Sequence, residues 1–147
     1  MIVAQAFAIL GTGLLAGIFL MGTIGIRPAA DNLEATPHLL LRQHLIRRLS
    51  KFMPWLMVFA IAASALAVWQ ADAPLLRFYR IVECLLSLAI LVITIVVNVP
   101  VNNRFLNWTP ATLPDNWQTY VRRWNDADSV RLVVALFAFL VALIAGS

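Results

Sequence analysis

Four long apolar runs, at residues 2–26, 52–69, 81–97 and 130–145, constrain this chain more than any other feature. A helix needs about 17–25 apolar residues to cross a bilayer. Helices satisfy their backbone polar groups internally, which lipid requires. The runs therefore predict an all-α protein with four transmembrane helices. Of the 147 residues, 62% are hydrophobic and only 12% are charged, and the mean hydropathy is +0.86. A soluble domain carries about a quarter charged residues, so a soluble fold is excluded. The short connections predict one up-down-up-down four-helix bundle over residues 1–147. The first run has no Lys or Arg before it and no small-residue cleavage site, so it reads as a retained helix.

Charge orients the bundle. Arg27, Arg42, Arg47, Arg48 and Lys51 lie between runs one and two. Arg104, Arg122, Arg123 and Arg131 lie between or at the edges of runs three and four, whereas the remaining link has only Arg77 and Arg80. Basic residues near helix ends stay cytoplasmic. Both longer connections are thus expected in the cytoplasm and both termini outside, in a bacterial inner membrane. The net charge of +4 follows from this bias and from contact with anionic lipid. Nucleic acid is excluded as a partner, because the basic residues flank spans instead of forming a basic domain. The single Cys84 allows neither an intrachain disulfide nor a multi-cysteine metal site, and no metal is expected.

The connections also carry local expectations. The residue before a proline is pushed out of helical geometry, so helix one is expected to end before Arg27-Pro28. "HLLLRQHLIRRLSKF" reads as an amphipathic start to helix two, lying near the headgroups. Helix three is expected from Pro74 to about Asn107. Asp115 reads as an N-cap for a helix running through "NWQTYVRRWNDADSVRL" into the last span. Trp117, Tyr120 and Trp124 share one face there, as an interfacial aromatic belt would. Gly13 and Gly17 stand at GxxxG spacing, which suits close packing within the protomer or a homo-oligomer through the same face.

Glu83, Ser87, Thr94, Asn98 and Asn102 recur at spacings of four and seven, which puts them in one sector of the third helix. Polar groups in a span avoid lipid, so the stripe should face the bundle interior or a wet cavity. Pro100 has no amide hydrogen and frees the carbonyl of Val96, which Asn98, Asn102 or Asn103 could satisfy. A kink, amides and Arg104 beside an apolar cavity suit a small, flat aromatic or quinone-like lipophile. Interhelical hydrogen bonding in a non-enzymatic accessory or scaffold subunit is the other reading of the stripe. Glu83 lies about 22 Å along the helix from Asn98, so it belongs to another site, as an ion pair with Arg80 one turn away. Acid–base groups near the amides must come from His38, His44, Asp31, Glu34, Asp126 or Asp128. Haem ligation through His38 or His44 is a third reading. No nucleotide loop, HExxH pair or GxSxG elbow is present, so no cofactor is expected.

The glycine-rich first helix running into "IRPAADNL", then "NVPVNNRFLNW" and "LPDNWQTYVRRWNDADSVR", resembles the small membrane family of the anthrone oxygenases. The resemblance spans most of the chain and implies a four-span bundle. It also implies a cofactor-independent monooxygenase that oxidises an anthrone with O₂. Such chemistry needs a base for an acidic C–H and donors for the oxyanion that results. The resemblance assigns Asn98, Asn102, Asn103 and Arg104 as donors, with Trp117, Arg123, Trp124 and Arg131 in a second block. Relatives carry a histidine inside that block; here Asp128 stands at about that place. Asp128 and His44 are accordingly the candidate bases.

Overall fold

A computed structural model describes residues 2–147. The helices are α1 (Ile2–Met21), α2 (Arg27–Asp31), α3 (Ala35–Trp69), α4 (Pro74–Ile93), α5 (Val99–Asn107) and α6 (Trp117–Gly146), with no strand among the described residues. Two wide π-turns, Gly22–Ile26 and Thr94–Asn98, join α1 to α2 and α4 to α5. The result is four long rods, all long and apolar enough to cross a membrane. α1 and α4 each pack between α3 and α6, so the cross-section is a square with alternating chain direction.

Size sorting inverts what water would select. The interior is rich in alanine, with Ala60, Ala63 and Ala67 on α3 and Ala135, Ala138 and Ala142 on α6 beside larger residues such as Leu15, Met57 and Ile90. Large side chains point outward, including Trp55, Phe137 and Trp69, the last 81% exposed. In lipid, apolar surface gains nothing by hiding, and helices associate through small residues that let backbones approach. Gly11 marks the tightest such approach, since a Cβ there would lie 2.9 Å from the Cα of Ala60. Gly13 packs against Phe139 of α6, whereas a Cβ on Gly17 would meet nothing within 4 Å.

Two local expectations need correcting. Helix one does not stop at Arg27-Pro28; it turns wide and continues as α2. A proline inside an α-helix clashes with the carbonyl four residues back and leaves it unbonded. The wide turn inserts one residue, so that Arg27 N–H bonds Gly22 O five residues back, and Val99 N–H bonds Thr94 O ahead of Pro100. "HLLLRQHLIRRLSKF" is, as expected, the start of the second rod, the 35-residue α3. At 1.5 Å per residue α3 is about 52 Å long, some 20 Å more than the hydrocarbon core, so a polar half stands clear of it. Finally, the N-cap of α6 is Asn116, not Asp115, with no side-chain cap bond.

Candidate functional site

In the half bearing the termini Gly11 presses against Ala60 and buried alanines line α3 and α6; the two longer connections lie at the other end of the rods. There a cavity of about 720 Å³ opens between α1, α3, α6 and the two wide turns. Ligand pockets typically fall between about 300 and 1,000 Å³. Most of the wall is apolar, from residues such as Ile18, Phe19, Leu45, Leu49, Met53 and Leu91. Its rim includes Leu14, Gly17 and Met21 of α1 with Ser50 and Pro54 of α3, all exposed.

Apart from Arg27 of α2, which donates to Ser129 Oγ at 3.4 Å, the polar residues deep in this wall arrive from three rods. α3 contributes His38 and Arg42. The second wide turn and α5 contribute Thr94, Asn98 and Asn102. α6 contributes Trp124, Asn125, Asp128 and Arg131. The first two sets advance by four residues and the last by three from Asn125, with Trp124 beside it, which keeps each set to one side of its helix.

Hydrogen bonds fix most of these groups. Arg131 donates to Asp128 Oδ1 at 2.7 Å and to Thr94 Oγ1 at 3.1 Å, which ties α6 to the wide turn. Its guanidinium also lies 4.7 Å from the Phe19 ring centre. Asp128 Oδ2 lies beside Gly22 in the first wide turn, where a Cβ would come within 3.0 Å of it. Trp124 Nε1 donates to Asn102 Oδ1 at 2.9 Å, leaving the Asn102 Nδ2 hydrogens for another acceptor. His38 Nδ1 meets the carbonyl of Ala30 at 2.9 Å, so Nδ1 carries the proton. Nε2 then accepts from Arg42 at 3.3 Å. With both nitrogens engaged, this arrangement offers no His38 lone pair to an iron.

Asn98 stands apart from this network. It is 1% exposed, and neither its Nδ2 nor its Oδ1 has a hydrogen-bond partner. The expectation that asparagine side chains satisfy the carbonyl freed by Pro100 is therefore not met: Asn98 bonds nothing and Asn102 takes Trp124. An unpaired buried amide costs about 1–3 kcal/mol.

Of the residues expected to form a site, Asn98, Asn102, Trp124 and Asp128 converge on the cavity. Asn103 and Arg104 are exposed outside it, and Arg104 instead lies 5.1 Å from the Tyr120 ring centre. Trp117 is half-buried against the His38 ring, with centroids 5.0 Å apart, but lies behind the wall. With Tyr120 it packs around Leu39 and Phe105, so these aromatics form an inner layer and not a lipid-facing belt. His44 is exposed and bonds the Leu40 carbonyl; His38 is the histidine in the cavity. Thr94 belongs to the expected stripe, whereas Arg27, Arg42 and Asn125 were not anticipated as wall residues, although Arg42 follows His38 by one helical turn.

The expected Arg80–Glu83 ion pair does not form. Arg80 donates to the Ala67 carbonyl at 2.8 Å, while Glu83 Oε1 accepts from Ser64 at 3.0 Å. The one ion pair among the described residues is Arg131–Asp128. No cluster of three or more His, Cys, Asp or Glu able to hold a metal occurs among them.

A four-rod membrane bundle, with a largely apolar cavity and a small convergent polar set at one end, defines the class of protein. The family model for anthrone oxygenase matches residues 43–141, well over half the chain, and the protein belongs to that family. No curated protein and no solved structure matches it. The family match includes Asn98, Asn102, Trp124, Asp128 and Arg131, and begins just after Arg42.

Proposed function

We propose that this protein binds a flat aromatic ketone of the anthrone type in the cavity and oxidises it with O₂. The observation that carries the reading is Asn98, a fully buried amide with neither end paired, in the wall of a ligand-sized apolar cavity. The family's name supplies the substrate class. The cavity suits it, with greasy walls for fused rings and a few fixed donors for ring oxygens.

In the proposed reaction Asp128 removes a proton from the ring CH₂ beside the aromatic system. Arg131 holds Oδ1 and thereby fixes the carboxylate, with Oδ2 as the basic atom. The electron pair left on carbon spreads to the ketone oxygen. Asn98 Nδ2 and Asn102 Nδ2 donate to that oxyanion. The carbanion passes one electron to O₂, and the two radicals join as a carbon-bound peroxide. The peroxide takes up a proton; loss of the second C–H proton and cleavage of the O–O bond then give a carbonyl and water. Overall, CH₂ and O₂ become C=O and H₂O, so substrate and dioxygen balance with no further reductant. His44, exposed and outside the cavity, is dropped as a base. The end with the cavity faces the cytoplasm in this reading, because Arg47, Arg48, Lys51, Arg122 and Arg123 surround it.

Oxygen uptake by the detergent-purified protein with anthrone tests the proposal. The expected result is uptake well above the spontaneous rate, with anthraquinone as product. Asn98→Leu should lower it at least tenfold while the protein stays folded. No uptake above the spontaneous rate in the wild type, or an Asn98→Leu variant of undiminished activity, would leave the accessory-subunit reading in its place.

A further inference from the structure

The cavity holds an unequal number of charges. Arg131 is matched by Asp128. Arg42 makes no such contact: no carboxylate among the described residues lies within 4.0 Å of its nitrogens, and Asp31 and Asp128 act on it only from farther away. It is nevertheless only 6% exposed. Its guanidinium lies 4.6 Å from the Trp124 ring centre and 5.2 Å from that of Phe105. Its one hydrogen-bonding neighbour, His38, is neutral in the tautomer that the Ala30 carbonyl imposes. Aromatic faces and a neutral imidazole hold a cation in position without cancelling its charge. A buried charge with no carboxylate in contact with it is costly, and a planar guanidinium is the donor best shaped for a carboxylate or related oxyanion.

We infer that the cavity's ligand is an aromatic anion, whose ionised oxygen pairs with Arg42 while its rings occupy the apolar wall. This deepens the reading given above and rests on the same cavity. It adds that the ligand arrives charged: an acidic hydroxyl or carboxyl on the ring system is part of what is recognised. Arg42 is a binding residue here and takes no part in the redox step.

The test measures binding, not turnover. Anthraquinone-2-carboxylate and its uncharged methyl ester are titrated into the purified protein in a non-ionic detergent, and tryptophan fluorescence quenching is read. Micelles favour the ester, so preference for the acid has to come from the protein. The wild type should bind the acid at least tenfold more tightly than the ester. Arg42→Gln should lose about ten- to a hundredfold for the acid and little for the ester, as expected for a hydrogen bond to a charged group. Arg48→Gln, an exposed basic residue outside the cavity, should change neither. Equal affinity for acid and ester in the wild type overturns the inference, and that comparison needs no variant to fold. Equal losses for both probes in Arg42→Gln overturn it as well. Acid-selective binding without anthrone oxidation would leave this inference standing and remove the oxygenase reading.

Discussion

Near the termini, Ser64 donates to Glu83, Arg80 donates to the Ala67 carbonyl, and Gln5 donates to the Ala142 carbonyl at 2.7 Å. Gly11 presses on Ala60 close by, and none of these polar residues lines the cavity. At the other end Asn98, Arg42 and Asp128 are buried just as deeply, yet they border open space. Both halves contain buried acids, amides and guanidiniums. The terminal half spends them on fastening rods together; the loop half turns them towards a void. Polarity inside a span is thus a poor marker of a site unless packing around it is incomplete, and both π-turns border the incompletely packed region here. Wide turns of this kind occur often at functional sites.

The largest test of this contrast pairs the two buried carboxylates. Asp128→Asn should lower kcat about 10²–10⁴-fold, the usual contribution of a positioned base. Loss of Arg131's counter-charge should also reduce stability, so turnover is to be normalised to folded protein. Glu83→Gln should leave turnover within about twofold and shift only the melting temperature, if its role is to fasten rods. Equal catalytic losses in both variants would show that the halves act as one system and break the comparison.

Two glycines sharpen it next. Gly11→Leu drives a side chain into the α3 backbone at Ala60 and should cost about 1–3 kcal/mol or more in detergent melting. Gly17→Leu has open space and should melt like the wild type. Because Gly17 stands on the cavity rim, the added side chain should instead raise KM for a large ligand. A Gly17→Leu variant that unfolds as readily as Gly11→Leu would mean that the rods are closed there.

Much of this was legible in the sequence. The four apolar runs lie inside the four rods, and the polar stripe does face inward, with Glu83, Ser87 and Asn98 buried. The site itself was half legible, and helical geometry explains the split. At about 100° per residue, Asn102 lies about 40° from Asn98, whereas Asn103 and Arg104 are turned about 140° and 120° away. The same arithmetic puts Arg42 about 40° from His38 and His44 about 120° away on the other side. Sequence motifs group residues that are adjacent along the chain; a helix wall groups those four apart. The convergence of α3, α5 and α6 was beyond such arithmetic, because it depends on how the rods pack against one another. The Arg80–Glu83 pair failed for a related reason: Ser64 and the Ala67 carbonyl on the neighbouring rod offered each group a closer partner.

A smaller effect is expected on the fastening side. Ser64→Ala removes the hydroxyl that reaches both the Ala60 carbonyl and Glu83. The carboxylate then lacks a donor at Oε1, and Oε2 has none already. Melting in detergent should fall by about 1–2 kcal/mol, with ligand affinity unchanged. A shift in affinity without a shift in melting would place the terminal half in communication with the cavity.

The finest test lies in Trp124, which does two jobs at the cavity wall. Its ring lies close to the Arg42 guanidinium, and its Nε1 donates to Asn102. Trp124→Phe keeps an aromatic face for Arg42 but removes the indole N–H. Asn102 is then free to rotate its amide, and its Nδ2 no longer holds one direction. One neutral hydrogen bond is worth about 1 kcal/mol, so KM should rise about fivefold while kcat and melting barely move. The opposite pattern, lower melting with KM unchanged, would make the Trp124–Asn102 contact a fastening like Ser64–Glu83. The cavity's polar wall would then begin at Asn98 and Arg42 alone, and the contrast between the two halves would narrow to those residues and Asp128.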